Sequence, residues 1–438
     1  MRIGSFKVGA ILAVGAALVL AACGGSSNNS TGTGGKIGGT VHFLGTWSGS
    51  EQDSFMAVIQ PFEDQTGVKV EYEASRDQDA ILTTRVTAGN PPEVASAPSP
   101  ALLTKFAQQG KVIALDNILD MSKLKSEYAQ SWIDLGSING KLYEVYAWGS
   151  LKGLVFYDPK VFQQKGYQVP KTWDDMITLQ NKIKADGTTP WCIGLESGAA
   201  SGWPGSDWVK EIVLSQSGPS VYDSWWQGKT KWSSSEIKSA WTAWGNVLGS
   251  GDSNVYGGKN FMVSTNFGDA GNGLFDSPPK CYMHNQGSFI TDFFVKAKPS
   301  LKAGDDFNFF PLPDFNTKNA GAHVVAGDTM SMFKDTPQAR ALMKYLTTAQ
   351  AQDIWVKRGG KTAINKTVSP DDYPDALQKN IAQTIQQAKI AKYDAGDLMP
   401  PDMKNAYWSA VLQFVQDQSK LDSILSNLDN VQKSAYTT

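Results

Sequence analysis

The stretch TVHFLGTWSGSEQDSFMAVIQPFEDQTGVKVEY, residues 40–72, decides the fold of this chain. Residues 40–47 alternate as a β-strand does, and residues 68–72 alternate again. Between these two segments, apolar residues recur at helical spacing at Phe55, Val58, Ile59 and Phe62. The stretch therefore predicts a β-α-β unit.

The ends of the helix in this unit are also marked in the sequence. Ser50 and Asp53 are its expected N-terminal caps, and Gly67 is its expected stop. Pro61 lies within the helical pattern, and we expect it to kink or shorten the helix because proline lacks a backbone N–H.

The same order of elements continues along the chain. Asp77 opens a second predicted helix that ends at Gly89, and residues 93–97 form a third predicted strand. This β-α-β-α-β order predicts an α/β fold, with a mostly parallel sheet and helices on both faces.

A second run of α/β elements begins near Gly153. Its predicted strands are 154–157 and 192–195. The helices predicted from there to the end of the chain are 173–186, 203–217, 235–248, 337–357, 371–388, 401–417 and 421–433. Because 438 residues exceed what one hydrophobic core holds, we expect at least two domains.

The N-terminus has the features of an export signal. Arg2 and Lys7 are positive, and the apolar run 8–20 is shorter than the ~20 residues that span a bilayer as a helix. The residues LAAC, ending at Cys23, resemble the bacterial lipobox, in which the cysteine is diacylated and the chain is cut just before it. We expect a signal peptide at 1–22 and a lipid on Cys23, the alternative being an ordinary signal peptide with an incidental cysteine.

Residues 23–39 follow as a Gly/Ser-rich linker, which favours a flexible tether. The expected product is an exported body held by lipid at the outer face of the cell membrane, on a Gram-positive-like surface or in a periplasm. A formal net charge of −2 leaves no basic surplus for nucleic acid. No second apolar run in the sequence is long enough to span a membrane.

Two cysteines, Cys192 and Cys281, remain besides Cys23. An even pair in an exported chain favours a disulfide, and two free buried thiols are the alternative. The three histidines, at positions 42, 284 and 323, do not have zinc-site spacing with these cysteines. We expect neither a metal nor a cofactor.

Much of the chain resembles the extracellular solute-binding proteins of carbohydrate ABC importers. The similar stretches are FEDQTGVKVEY (62–72), LTTRVTAGNPPEVA (82–95), NGKLYEVYAWGSLKGLVFYDPKVFQQKGY (139–167), PKTWDDM (170–176), PWCIGLESGAASGWPGSDWVKEIVL (190–214), PPKCYMHNQGSF (278–289) and GGKTAIN (359–365). The fifth stretch resembles the branch that binds α-glucosides and related small oligosaccharides. Its cysteine, with the one in the sixth stretch, strengthens the case for the disulfide.

This resemblance implies a periplasmic-binding-protein-like fold of type II, with two α/β lobes and a ligand cleft between them. The implied crossovers lie near residues 146–152, 308–313 and 346–355. Lobe I then takes 40–147 plus 312–350, and lobe II takes 148–311 plus 351–438. The resemblance also implies that a sugar closes the lobes by a hinge motion and that the closed, monomeric form docks on the permease subunits of an ABC transporter.

A site for a neutral sugar combines aromatic faces with planar polar groups. Trp47, Ser48 and Glu51 follow the first strand, and Arg76 and Asp77 follow the second, where parallel sheets bind ligands. The alternative role of Trp47 is packing in the hydrophobic core of its lobe. The alternative for Glu51 is a favourable interaction with the helix dipole, and for Arg76 and Asp77 it is a solvated turn.

Further candidates lie in the second run. A helix entry in SGWPGSDW places Trp203 and Asp207 on one face, with Trp208 next to them, and the resemblance places this loop at the cleft edge. Ser288 and Phe289 open a helix whose free N–H groups can bind a hydroxyl.

The remaining candidates are three single residues. Asp328 follows a turn of small residues, Arg358 lies where the chain re-enters the cleft, and Trp148 lies at a crossover. Arg358 equally suits a salt bridge. Trp225, Trp226, Trp232, Trp241 and Trp244 are assigned to packing.

The expected function is therefore capture of a small oligosaccharide, an α-glucoside above all, without catalysis. A binding protein for another solute class, such as a sugar phosphate or a polyol, is the alternative. A secreted glycoside hydrolase is a further alternative, but it needs two carboxylates facing one bond, and the sequence identifies no such pair.

Overall fold

The computed structural model describes residues 36–436 apart from 76, 98–99, 316 and 389. The predicted signal peptide, Cys23 and Arg76 lie outside the described residues. The strands are β1 Thr40–Gly45, β2 Lys69–Ala74, β3 Val94–Ala97, β4 Ser137–Ile138, β5 Lys141–Leu142, β6 Val145–Leu151, β7 Leu154–Tyr157, β8 His284–Gln286, β9 Asn308–Pro311, β10 Ala322–Met332, β11 Thr362–Ala363 and β12 Ile390–Tyr393.

Helices cover much of the rest of the described chain. They are α1 Ser50–Thr66, α2 Gln78–Thr87, α3 Pro100–Gln108, α4 Met121–Glu127, α5 Gln130–Leu135, α6 Pro159–Lys165, α7 Trp173–Ala185, α8 Trp203–Ser217, α9 Pro219–Trp226, α10 Ser235–Leu248, α11 Gly258–Ser264, α12 Ile290–Ala297, α13 Pro337–Leu346, α14 Ala349–Val356, α15 Ala376–Gln387, α16 Ala395–Leu398, α17 Pro401–Gln416 and α18 Leu421–Ala435. None of them is both long and apolar enough to cross a bilayer.

The larger sheet has the strand order β11-β6-β10-β3-β1-β2, with β12 beside β10. β1 pairs in parallel with β2 and β3, which confirms the predicted β-α-β-α-β unit. β10 then runs antiparallel between β3 and β6, so the sheet is mixed. β11 and β12 come from the range 351–438, and α14 packs against α1, so this part of the chain contributes to the larger sheet as well.

The smaller sheet has the order β8-β7-β9, and its strands are antiparallel. β6 of the larger sheet and β7 of the smaller one are separated only by Lys152 and Gly153. Gly153 has a φ of +63°, and a Cβ there would lie 2.5 Å from Cδ of the buried Glu211. A glycine at this junction therefore lets the chain turn from one sheet to the other directly against α8.

Two helix predictions need correction. α1 ends at Thr66 with Gly67 as its C-cap, which confirms the predicted stop, and it is not shortened at Pro61, because its buried face offsets the ~3 kcal/mol cost of an interior proline. Its N-cap is Gly49, without a side-chain cap from Ser50 or Asp53. The predicted helix 337–357 is two helices, because Thr348 caps α14 by accepting a hydrogen bond from the N–H of Ala351.

The predicted strand 192–195 is also wrong. The segment is buried, and isolated bridges form only at the residues that flank it, Trp191 with Val255 and Met283, and Glu196 with Asn266. The N–H of Cys192 donates to the carbonyl of Met283 at 2.9 Å, so the backbone is satisfied by neighbouring loops and not by a ladder. Cys192 and Cys281 form a disulfide with a Cα–Cα distance of 5.5 Å, which confirms that prediction.

Most tryptophans lie in two cores, one for each sheet. The core around the smaller sheet contains Trp173, Trp191, Trp208, Trp225, Trp232, Trp241 and Trp244. The core around the larger sheet contains Trp47, Trp148 and Trp355. This confirms the packing role predicted for Trp225, Trp232, Trp241 and Trp244, and Trp226 packs against the same core from its edge.

Candidate functional site

A cavity of about 270 Å³ lies where the carboxyl ends of β1 and β2 face α8, α17 and the junction of β6 and β7. Ligands of open parallel sheets bind beyond this edge. The volume is near the lower end of the ~300–1,000 Å³ of small-molecule sites. The site therefore suits a compact ligand.

One wall of the cavity is aromatic. The Trp203 ring centroid lies 5.1 Å from that of Phe267 and 5.9 Å from that of Phe289. Nζ of Lys152 lies 4.5 Å from the Trp203 centroid, close enough for a cation–π contact. Trp47 and Trp408 line other parts of the cavity. These rings offer apolar faces next to a charged group.

A cluster of four charged side chains lines the same cavity, and each is only 3–8% exposed. Nζ of Lys152 donates to Oδ2 of Asp207 at 2.9 Å. Nζ of Lys210 lies 2.7 Å from Oδ1 of Asp207 and 2.6 Å from both carboxylate oxygens of Asp394. We call these four residues the buried ion cluster. Its two ammonium groups and two carboxylates compensate one another.

Neighbouring groups set the protonation of this cluster. Burial alone would lower the pKa of Lys210, but the carboxylates of Asp207 and Asp394 raise it above its usual range. Burial opposes ionisation of Asp394 as well, yet Lys210 and Lys152 hold its pKa below the usual value. Burial, followed by repulsion from Asp394, raises the pKa of Asp397 well above normal. Asp397 is therefore the carboxyl group next to the cluster whose protonated form is favoured.

Two further ion pairs flank the cavity. Glu51 of α1 lies 3.3 Å from Nζ of Lys361, and both side chains are buried. Asp79 of α2 pairs with Lys404 of α17, whose Nζ lies 5.0 Å from the ring centroid of Trp408. Both pairs join segments that are distant in sequence, so each stabilises one particular arrangement of the cavity walls.

Six of the residues predicted for the site line this cavity. They are Trp47, Glu51, Asp77, Trp203, Asp207 and Phe289. Trp47 is also part of a core, because its ring lies 4.7 Å from Phe55 and 5.2 Å from Trp355. The two roles weighed for Trp47 are therefore compatible.

Four other predicted residues do not line the cavity and contact other parts of the protein. Trp208 packs edge-on against Trp191 at 5.0 Å, and Nε1 of Trp148 donates to the carbonyl of Gln352. Oγ of Ser288 accepts from the N–H of Leu151, and Nε of Arg358 donates to Oγ of Ser54 at 3.0 Å. Ser48 is exposed next to the cavity without lining it, and the backbone of Asp328 forms part of β10.

The sequence alone did not identify several lining residues as site candidates. They are Gln78, Asp79, Lys210, Phe267, Lys361, Asp394, Asp397, Lys404 and Trp408. One of these residues had a local signal, because Lys210 follows Asp207 by three residues on a helix, which places the two side chains together. Among the described residues, no group of three His, Cys, Asp or Glu side chains is arranged to hold a metal ion.

Comparison with known proteins gives a consistent result. Residues 48–353 match the family of bacterial extracellular solute-binding proteins. The alpha-glucosides-binding periplasmic protein AglE of Rhizobium meliloti is 35% identical over 394 residues, covering 88% of this chain and 85% of that protein. The osmoprotective compounds-binding protein GgtB of a Synechocystis species is 35% identical over 376 residues, covering 86% of this chain and 88% of that protein.

Solved structures agree on the fold. A chitin oligosaccharide binding protein superimposes with a TM-score of 0.80 at 18% identity, covering 91% of this chain and 99% of that one. Maltose-bound MalE3 of T. maritima superimposes with a TM-score of 0.71 at 16% identity, covering 90% of this chain and 99% of that one. Identities this low support the two-lobed α/β fold alone. Taken with the match over residues 48–353, they lead to one conclusion: the chain belongs to the family of bacterial extracellular solute-binding proteins.

Proposed function

We propose that this chain is the substrate-binding component of an ABC-type sugar importer, that its ligand is a small neutral oligosaccharide, and that an α-glucoside is the first candidate. The observation that carries the proposal is an aromatic wall, Trp203 with Phe267 and Phe289, set against charges that are already paired. Apolar sugar faces suit the rings, and sugar hydroxyls suit carboxylate and ammonium groups that need no further counter-charge. The name of the relative AglE supports the choice of an α-glucoside.

Charge separates this proposal from a sugar phosphate site. Among the described lining residues, the four lysines 152, 210, 361 and 404 face six carboxyl groups, those of residues 51, 77, 79, 207, 394 and 397. The lysines do not outnumber the carboxyl groups, so the lining has no surplus of basic side chains. A phosphate dianion needs surplus positive charge or a nest of backbone N–H groups. An uncharged polyol or oligosaccharide fits this balance better.

The same contacts disfavour a hydrolase. Glycoside hydrolysis needs one carboxylate free to attack or to activate water, and a second carboxyl group as the acid. Asp207 and Asp394 are both held by Lys210, and Asp207 is also held by Lys152. Carboxylates paired in this way are poor bases, because their negative charge is already stabilised.

Export and anchoring belong to the same proposal. We infer that residues 1–22 direct export, that Cys23 carries lipid and that residues 23–39 tether a monomeric body near the permease. The body comprises two lobes that close on the ligand. Since β11 and β12 join the larger sheet and α14 packs on α1, we infer that lobe I extends into the range 351–393, beyond its expected limit at 350.

Calorimetric titration of the full chain in mild detergent tests this function. The panel contains glucose, maltose, trehalose, sucrose, maltotriose, a β-linked disaccharide and a sugar phosphate. We expect one-to-one binding of an α-glucoside and no release of monosaccharide. Trp203→Ala should weaken binding at least tenfold, while Trp226→Ala, at the edge of the core around the smaller sheet, should not. Binding of the sugar phosphate alone, or release of glucose, would contradict the proposal.

A further inference from the structure

Gln78 is the first residue of α2, and it lines the cavity. The residue is 1% exposed, and neither its Oε1 nor its Nε2 has a hydrogen-bond partner. Within the described chain it is the one side-chain amide for which both polar atoms are buried and unpartnered. An unpaired buried amide destabilises a protein, so its presence at a cavity wall points to a role in binding.

Other buried glutamines behave differently. Gln180 accepts from Nε1 of Trp191 at 2.6 Å and donates to the carbonyl of Asn246. Gln352 donates to the hydroxyl of Tyr128 and accepts from the N–H of Asn365 at 2.8 Å. These two amides are satisfied inside the protein, so they are structural. Burial of a glutamine in this fold thus does not by itself leave its amide unpaired.

The unpaired atoms of the cavity are not confined to Gln78. Next to it on α2, Oδ1 of Asp79 is buried and has no partner, although the carboxylate is paired with Lys404. Across the cavity, Oγ of Ser197 is buried and unpartnered as well. Unpartnered hydrogen-bond donors and acceptors therefore lie on both sides of the cavity. Of the three residues that carry them, Gln78, Asp79 and Ser197, only Asp79 has a charged group.

We propose that Gln78 is a specificity-determining residue that binds two neighbouring hydroxyls of the ligand. Oε1 accepts a hydrogen bond from one hydroxyl, and Nε2 donates to the oxygen of the next. A primary amide presents one acceptor and one donor side by side, which matches a pair of adjacent hydroxyls and neither an anion nor a cation. This inference rests on the proposed function, because it assigns part of the recognition of the same sugar.

The variant Gln78→Leu separates binding from stability. A leucine of similar size removes the unpaired amide, so the urea midpoint of the full chain should stay the same or rise. Affinity for maltose, measured by calorimetry, should fall about ten- to a hundredfold, since two hydrogen bonds are lost. Gln352→Leu is the matched control: it breaks a satisfied amide, and it should lower the urea midpoint while maltose affinity stays within about threefold.

Monodeoxy derivatives of maltose identify the hydroxyls. The wild type should bind one or two derivatives, altered at adjacent positions, about tenfold or more weakly than maltose, and Gln78→Leu should bind those derivatives and maltose alike. A Gln78→Leu chain that loses stability and keeps the wild-type preference among the derivatives would overturn the inference, as would unchanged affinity. If the wild type binds no sugar of the panel, the proposed function fails and this inference with it. If the wild type binds maltose and Gln78→Leu binds it equally, only the inference fails.

Discussion

Asp79 and Lys404 form an ion pair across the cavity, although 325 positions separate them in sequence. Asp79 lies in the first turn of α2, beside the larger sheet, and Lys404 lies near the start of α17, in the helical part of the chain. The Lys404 side chain is 2% exposed, whereas that of Asp79 is 29% exposed. The pair therefore joins the two sides of the proposed ligand site.

Breaking this pair should favour an open form. Lys404→Met keeps the apolar stem and removes the charge, so the closed arrangement loses one of the contacts that hold it. We expect a larger radius of gyration for the ligand-free chain in small-angle X-ray scattering, and weaker binding of the sugar, about tenfold for each 1.4 kcal/mol lost.

An exposed pair supplies the control. Lys238 and Asp422 form a surface ion pair with side chains 46% and 78% exposed. Such pairs contribute about 0–1 kcal/mol, so Lys238→Met should change neither the radius of gyration nor the affinity. Equal behaviour of the two variants would show that the pair at the cavity does not hold the closed form.

Removing Asp207 should destabilise the whole protein. In the structure, Asp207 binds both Lys152 and Lys210, so its loss leaves buried positive charge uncompensated. We expect the free energy of unfolding to fall by about 3–5 kcal/mol, measured by urea denaturation.

A double variant tests the cause of that loss. Asp207→Leu combined with Lys152→Met leaves Lys210 paired with Asp394 alone, which is again a neutral pair. Most of the lost stability should return, while sugar binding stays weak. If the double variant is as unstable as Asp207→Ala, or if Asp207→Ala unfolds like the wild type, charge compensation within the buried ion cluster does not stabilise the fold.

The sequence predicts those parts of the site that depend on local patterns. Trp47, Glu51 and Asp77 follow the ends of β1 and β2, and alternation and helical spacing locate those ends directly. Trp203 and Trp208 show where this reasoning stops. Both are on α8, but five residues of a helix turn the side chain by about 140°, so Trp203 faces the cavity and Trp208 faces Trp191.

Long-range contacts explain the rest of the site. Asp394 lies 184 positions from Lys210, and no local pattern connects them. Each of these residues taken singly resembles an ordinary surface charge of a helical region. Their burial follows only from the way β12 and α17 pack near β10 and α8, which a single sequence does not reveal.

The disulfide should contribute substantially to stability and little to binding. Cys192 and Cys281 are fully buried and enclose a loop with a sequence separation of 89. In the loop-entropy model a link of this length stabilises the fold by about 4 kcal/mol. The variant with both cysteines changed to alanine should unfold at a lower temperature, and sugar affinity should change little because neither cysteine lines the cavity.

Reducing agent provides the control for this prediction. It should lower the melting temperature of the wild type towards that of the double alanine variant, and it should leave the variant unchanged. A wild type that melts at the same temperature with and without reductant, after complete reduction has been verified by thiol titration, would contradict the prediction.

Asp292 should make the protein less stable as the pH rises. Burial raises the pKa of Asp292 to about 8, helped by repulsion from Glu51 and opposed by Lys361 and Arg358. In the unfolded chain an aspartate titrates near pH 4, so between about pH 4 and pH 8 the folded state holds a proton that the unfolded state has lost. Through this range the free energy of unfolding must fall with increasing pH, by at most about 1.4 kcal/mol per pH unit from this group.

Asp292→Asn removes this dependence. Urea denaturation of the variant at a series of pH values should give a shallower decline than the wild type between about pH 4 and pH 8, and parallel curves above pH 8. Asp371 is the contrasting control, because its hydrogen bond with Lys379 lowers its pKa. The stability that Asp371 contributes is present above about pH 4 and is lost in acid, so Asp371→Asn should alter only the acid side of the curve. Superimposable profiles for the wild type and Asp292→Asn would mean that Asp292 is ionised in the folded protein at neutral pH.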